Sequence, residues 1–521
     1  MNGSLSLHQV LEQAVNKHPS KEALFDGFER KSYRTLYEES LRLASSLSQL
    51  GVTKGDRVMV CLPNWNETVV IYFSLAMLGA VLVPCNPRSS REEFIYILEN
   101  SQASTVFLSD CFTHTELFKH YVKGQYNYVT LERIIMVRGH NKSFYLFEEL
   151  VEKEDSKETL NVKIDPDKDL FAILYTSGTT DKPKGVMLTH KNAIYTANVT
   201  AEAMECNSKD VFLVSVPLFH VFGLIPSMIT ATIISAKMVL QEKFQAREAL
   251  NLIEQEQVTV HHGVPTMFIL ELNDPMLESF DLSTLRTGIV AAAPCPEEVV
   301  RKIRTLMGCN IIVSYGLTET SAGVTATSLY DDDLLRSATV GKPLPGTEVK
   351  IVDLFRNEVL RGVTGELAVR SFGVMKGYFH LPETIMRIDE EGWLYTGDLA
   401  KMDDHDYITI IGRQEEMIIR GGYNISPEEV ENVLYKHSSI LEVAVIGMED
   451  SKLGEMICAV IKLKPDRVED EYSLKNYMEG KLVNYKIPDQ LVFLEDLPKT
   501  ASGKINKMEL MVELTKQLKE W

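Results

Sequence analysis

Over its first 150 residues the chain alternates stretches of helical periodicity, such as "TLYEESLRLASSLSQLG", with short apolar runs, "DRVMVCLP", "AVLVPCNP" and "ASTVFLSD". Parallel strands must be joined by long crossovers, and helices placed there cover both faces of the sheet. The rhythm therefore predicts a largely parallel α/β sheet. A charged, poorly periodic stretch, "EKEDSKETLNVKIDPDKD", reads as a solvated connection before Leu170, after which the α/β rhythm resumes. From about Thr347 the pattern becomes short strands with turns, as in "TEVKIVDLFRNEVLRGVTGELAVRS", which predicts a small antiparallel, barrel-like unit. Past Gly412, "SPEEVENVLYKHSSILEVAVIGMED" predicts a helix capped by Ser426, with Pro427 in its first turn and Glu429 three after the cap, followed by a strand. The expected architecture is α/β: a large N-terminal domain, residues 1–412, of two α/β subdomains plus the small β unit, and a small mobile α+β domain over 413–521.

At 521 residues the chain exceeds what one core organises, so several subdomains are expected on length alone. Two uncharged runs, Thr68 to Pro87 and Val211 to Ala236, are long enough to test as membrane spans, but glycine and proline interrupt both, which favours buried core. The formal charge of −19 disfavours nucleic-acid backbones and anionic lipid as partners. Seven scattered cysteines, none arranged as C-x-x-C, and a start without a basic or apolar leader point to reduced thiols in a cytoplasmic protein.

The segment "YTSGTTDKPKGV", residues 175–186, follows an apolar run and offers backbone N–H groups, hydroxyls and lysines that can converge on anionic oxygens. It is not a Walker A loop, because Gly185 is not followed by lysine and Ser/Thr. Taken alone, such a polar Gly/Thr segment is more often a plain surface turn than a site. Its companions decide the matter: "PLFHVFG", "YGLTET", "GELAVR", "YTGDLA", "GRQEEMIIRGGYN" and "PKTASGKI" follow it in one order, with "LGVTKGDRVMVCLPN" and "LGAVLVPCNP" upstream. This series resembles the adenylate-forming superfamily of acyl-CoA synthetases, luciferases and peptide-synthetase adenylation domains, across nearly the whole chain.

The resemblance implies a two-step reaction. A carboxylate attacks the α-phosphate of ATP to give an acyl-AMP and pyrophosphate, and a thiol then displaces AMP. It implies that Thr176, Ser177, Gly178, Thr179, Thr180 and Lys184 embrace the β- and γ-phosphates. Ala292, Tyr315 and Gly316 would line the adenine pocket and Thr318 would touch the α-phosphate. Glu319, with Thr176, would serve Mg²⁺, for which one carboxylate suffices because that ion keeps waters. Asp398 and Arg413 would hold the ribose. Lys504 would bridge the incoming carboxylate and the α-phosphate, as a flexible ammonium can. His220 would gate the acyl site, lined in part by Val264, and Gly421 and Gly422 would admit a pantetheine thiol after the C-terminal domain swings about Glu415.

Three positions depart from the common pattern: Glu415 at the hinge, "AAAP" at 291–294, and Lys507 where arginine is usual. Amino-acid-activating relatives carry an aspartate near "PLFH", where this chain has Val221 and Phe222 after His220, so a fatty or aryl acid is expected. The adjacent His261 and His262 read as packing rather than metal ligands. The implied co-substrates are ATP and CoA. An adenylation enzyme that passes its acyl group to a carrier-protein thiol or an amine is the alternative, and oligomeric state is not legible.

Overall fold

The computed structural model describes residues 5–110, 130–140, 143–152, 162–176, 182–382, 387–450, 452–500 and 504–519, with side chains of 516–519 excepted. Ser177, Gly178, Thr179 and Thr180 lie outside the described residues, as does most of the connection before Leu170.

Two sheets form the larger lobe. One has eight strands in the order Gly377–Tyr378, Lys184–Thr189, Leu170–Thr176, Val81–Pro84, Arg57–Val60, Thr105–Leu108, Arg133–Met136 and Tyr145–Leu146, parallel except that Lys184–Thr189 pairs antiparallel with both of its neighbours. The three apolar runs quoted above form three of its central strands. The other sheet has nine strands, with a parallel run built from Val211–Val214, Lys237–Leu240, Val260–His261, Thr287–Ala291 and Asn310–Tyr315. Strands Glu22–Phe25 and Arg30–Ser32 join this second sheet through Lys237–Leu240, so the first 150 residues do not build one sheet. Arg138, just beyond one sheet, pins the two together: it binds Asp26 beyond the other sheet and Glu67 at the start of helix Asn66–Leu78, the latter at 2.8 Å.

Every residue of helix Asn66–Leu78 except Glu67 is buried, because its apolar side chains run right round the helix and both sheets supply contacts. The first run tested for membrane spanning is thus core helix followed by core strand, Val81–Pro84. Among the described residues no helix is long and apolar enough to cross a membrane.

Strands Glu348–Val352, Gly365–Arg370, Leu394–Met402 and Ile408–Arg413 form the expected small unit, a four-stranded antiparallel sheet. A 3₁₀ turn, Gln414–Glu416, separates it from a last sheet that starts at Ile418. There Ser426 caps helix Pro427–Tyr435 through the Glu429 N–H, and the strands Ile440–Asp450 and Gly454–Leu463 form a long hairpin. The reciprocal half of the capping box is replaced, since the Glu429 carboxylate pairs with Lys486 at 2.6 Å.

Candidate active site

Residues at or just past the carboxyl ends of parallel strands converge, as open α/β sheets generally arrange their ligands. Thr176 ends one strand, Tyr315 another, Ala292 follows Thr287–Ala291, and Val264 follows Val260–His261.

One wall of the site is a polar network. Asp398 and Arg413 are opposite one another in the antiparallel register, and Arg413 Nε donates to Asp398 Oδ1 at 3.0 Å. The Tyr315 hydroxyl donates to the other carboxylate oxygen of Asp398, whose side chain is almost wholly buried. Burial and that anion push the phenol well above its usual pKa, so Tyr315 stays a protonated donor. Gly316 has no alternative here, because a Cβ would stand 1.7 Å from the Ala322 carbonyl. Ala292 adopts a left-handed φ of 76°, a conformation that costs a non-glycine residue about 1 kcal/mol.

Glu319 lies in the 3₁₀ turn Thr318–Thr320, where the Tyr378 hydroxyl donates to its Oε1 at 2.8 Å. Strand Gly377–Tyr378 pairs with the strand that begins at Lys184, and the Lys184 ammonium is 5.8 Å from the Tyr378 ring centre. Tyr378 therefore joins the phosphate-loop stem to the expected metal ligand. Nothing in "KGYF" distinguishes it from a core aromatic, which is why sequence reasoning missed it.

On the opposite side, "PLFHVFG" closes on itself: a Cβ on Gly223 would stand 2.2 Å from the Pro217 carbonyl. The Phe222 N–H donates to His220 Nδ1 at 3.3 Å, which assigns the imidazole proton to Nε2. Burial, with Lys504 nearby, lowers the His220 pKa to about 3, so the ring is neutral. A π-helical turn, Gly223–Ile229, contains Pro226 and is entirely buried; such turns are frequent at functional sites. His262 supports it, its Nε2 3.3 Å from the Pro226 carbonyl, its Nδ1 accepting from Ile289 N–H at 3.0 Å and its ring stacked on Phe222. His261 is buried against Glu271 at 2.9 Å. Both histidines pack, as expected. Val264, Val221, Phe222, Met267 and Ile289 belong to the same apolar cluster.

Lys504 arrives from the other lobe. An antiparallel bridge between Lys499 and Ile505, with Thr500 N donating to Lys504 O at 2.7 Å, shapes the turn that presents it. The side chain is half-buried; desolvation lowers the pKa of its ammonium, and Arg413, Glu416 and Asp398 are charged neighbours. The lysine is thus within electrostatic reach of Asp398 and Arg413, and of His220. Gly421 and Gly422 are not brought in: both are exposed, with φ of 58° and 85°.

The lobes are held at their seam. Ser426 Oγ donates to Ile411 O at 2.6 Å, and Arg387 pairs with Glu415 at 2.6 Å. Glu428 points at Gly412, whose Cβ would lie 2.9 Å from its Oε2, and burial raises its pKa to about 7. Lys507, the residue standing where arginine is usual, pairs with Glu431 at 2.7 Å.

Comparison with known proteins identifies the family. The AMP-binding enzyme family model matches residues 11–379, and the model for the AMP-binding enzyme C-terminal domain matches residues 429–504. The chain belongs to the AMP-binding enzyme family. Within it, the chain is 38% identical to YngI of Bacillus subtilis (strain 168), an acyl-CoA synthetase by name, over 97% of this chain and 96% of that protein. It is 33% identical to the medium-chain fatty-acid–CoA ligase of Escherichia coli (strain K12), over 99% and 92%. Among solved structures, the anthranilate CoA ligase AuaEII in complex with anthranoyl-AMP superposes with a TM-score of 0.90 at 27% identity, covering 98% of each chain.

Proposed function

We propose that this chain activates an acid with an uncharged tail, a fatty or aryl acid, and that the cleft just described is where it does so. The enzyme is an AMP-forming acid–thiol ligase. A carboxylate oxygen attacks the α-phosphorus of ATP and pyrophosphate leaves. The thiol sulfur of CoA then attacks the acyl carbon, the bond from that carbon to the phosphate oxygen breaks, and AMP leaves. The first step is needed because a carboxylate has no leaving group, whereas AMP departs readily.

The observation that carries this reading is that the Lys504 ammonium is within electrostatic reach of both Asp398 and His220. Its ammonium neutralises charge as two anions approach, where preorganised positive charge is worth most. Asp398 and Arg413 hold the ribose, Tyr315, Gly316 and Ala292 the adenine, Thr318 the α-phosphate, and Thr176 with Lys184 the departing phosphates. His220, neutral and protonated at Nε2, donates to the substrate carboxylate and covers it. A substrate ammonium beside Val221 and Phe222 would lack an anion, which supports an uncharged tail.

Mg²⁺ fits this chemistry. Among the described residues no cluster of three or more histidines, cysteines or carboxylates could cage a metal, and a single carboxylate with a hydroxyl suits an ion that keeps waters and takes phosphate oxygens. Glu319, oriented by Tyr378, and Thr176 would hold it, and it would supply charge neutralisation at the phosphates. The rotation about Glu415 belongs to the same proposal, supported by the 3₁₀ turn at Gln414–Glu416 between two sheets; since strand Ile408–Arg413 runs through the expected 412/413 boundary, the division falls one residue later and leaves Arg413 with the larger lobe. The six described cysteines are unpaired, which suits the cytoplasm.

ATP–pyrophosphate exchange across acids of varied length and ring content, followed by incubation with CoA, tests the reading. Exchange with fatty or aryl acids and a CoA thioester product are expected. Exchange confined to amino acids, or no thioester with free CoA, would overturn it.

A further inference from the structure

Helix Arg91–Ser101 buries Phe94, Ile97 and Leu98 on one side. Tyr96 and Asn100, one turn apart and hence on a shared face, reach instead to the hairpin that flanks the loop at 177–181. The Tyr96 hydroxyl donates to the Pro183 carbonyl at 3.0 Å, on the returning stem. The Tyr175 hydroxyl, on the outgoing stem, donates to Asn100 Oδ1 at 2.7 Å. The two tyrosine rings meet edge to face at 6.3 Å, and the Lys182 ammonium is 5.4 Å from the Tyr96 ring centre. Across the hairpin Tyr175 pairs with Gly185 and Thr176 with Lys184, and a Cβ at Gly185 would stand 3.2 Å from Tyr175 Cζ and 2.8 Å from Ile173. Both stems are thus tied to one helix face, and glycine at 185 lets the Tyr175 ring lie flat enough to reach it.

Among the described residues, the hydrogen bonds of these anchors go to Pro183 and Tyr175 rather than to Thr176 or Lys184. They act through them: Thr176 and Lys184 are each within one residue of an anchored position. We propose that Tyr96 and Asn100 are positioning residues for the adenylation step, holding the two stems at the separation at which Thr176 and Lys184 meet the ATP phosphates. This rests on the reading of residues 175–186 as the phosphate-holding segment. Burial raises the pKa of both tyrosines, so both hydroxyls remain donors through the working pH range. Proline at 183 has no N–H to pair, so its carbonyl is the one backbone group by which that residue can be fixed.

The test is ATP–pyrophosphate exchange by the full chain carrying Tyr96→Phe, Asn100→Ala, Asn100→Asp or Lys184→Ala, with thioester formation from supplied acyl-AMP measured alongside. Loss of one hydrogen bond to an anchor predicts about a three- to tenfold rise in KM for ATP and for pyrophosphate in Tyr96→Phe and Asn100→Ala. Thioester formation from acyl-AMP and the melting temperature stay unchanged, and Asn100→Asp, which keeps an acceptor for Tyr175, recovers most of the lost affinity. Lys184→Ala raises KM for ATP further. If Lys184→Ala weakens ATP binding while Tyr96→Phe and Asn100→Ala leave it intact, the anchoring role is wrong and the phosphate-loop reading stands. If Lys184→Ala has no effect on ATP, that reading fails and takes the anchors with it. Equal slowing of both half-reactions, or a lower Tm with KM unchanged, would reduce the two residues to general packing and overturn the proposal.

Discussion

Lys504 and the pair Gly421–Gly422 belong to the same small lobe, yet they occupy opposite situations. Lys504 is half-buried and within electrostatic reach of Asp398 and His220, whereas the glycines are exposed on a hairpin turn tied to Leu453 through the Gly421 N–H at 2.7 Å. One lobe therefore carries two chemically distinct faces and presents one of them. The larger lobe offers a single wall, built from Asp398, Arg413, Tyr315 and the turn at Glu319. On the proposed reading, the contrast means that the nucleotide site is fixed while its partner face is exchangeable, and that the arrangement seen is the one suited to making acyl-AMP.

The contrast can be broken by removing one face at a time. Lys504→Ala should have the largest effect, lowering acyl-AMP formation about 100-fold or more while thioester formation from supplied acyl-AMP changes about threefold at most, as separate half-reaction assays would read. Asp398→Ala should instead weaken both half-reactions by about 10- to 100-fold, because the wall holds the AMP moiety in each and because Arg413 and Tyr315 lose their buried partner. Gly422→Leu should slow thioester formation alone, by about tenfold, since its position is open to solvent and a side chain there meets nothing in the arrangement seen.

The smallest effect concerns the seam. Glu428 faces Gly412 and Ser426 on one side and, from its own lobe and the linking turn, Lys507, Glu431 and Glu416, with Asp398 beyond. Its pKa is about 7 with the lobes closed, against an ordinary 4.5 once exposed. The closed arrangement thus binds the extra proton, and closure weakens as pH rises from 4.5 to 7 and levels off above. Between pH 6 and 7 the bias toward closure should fall about fivefold in the ratio of the two half-reaction rates, and Glu428→Gln should flatten that slope.

Much of this site was legible because its motifs are local strings: the order of "YTSGTTDKPKGV", "YGLTET", "YTGDLA" and "PKTASGKI" named Thr176, Glu319, Asp398 and Lys504 before any geometry. Helix Pro427–Tyr435 was equally legible, since its cap, proline and first-turn acid are adjacent in the chain. What escaped was non-local. Strand Glu22–Phe25 pairs with Lys237–Leu240, more than two hundred residues away, and no periodicity records a partner at that distance. The turn Gly223–Ile229 lies around a proline that signals only a broken helix, and the carbonyl of that proline lies against His262, a residue remote in sequence. Tyr378, Tyr96, Asn100 and Glu428 act through single contacts to distant backbone or carboxylates, and their neighbours in the sequence carry no trace of those contacts.

The central claim is that one lobe exchanges faces by rotating about the turn Gln414–Glu416. Glu415→Pro tests it most directly, because proline fixes φ near the range of a 3₁₀ turn and so should hold the lobes in the arrangement seen, the lost Arg387–Glu415 pair being solvent-exposed and of little weight. The account predicts that acyl-AMP formation stays within about threefold of the unaltered chain while thioester formation falls about 100-fold. Full retention of both half-reactions would contradict it.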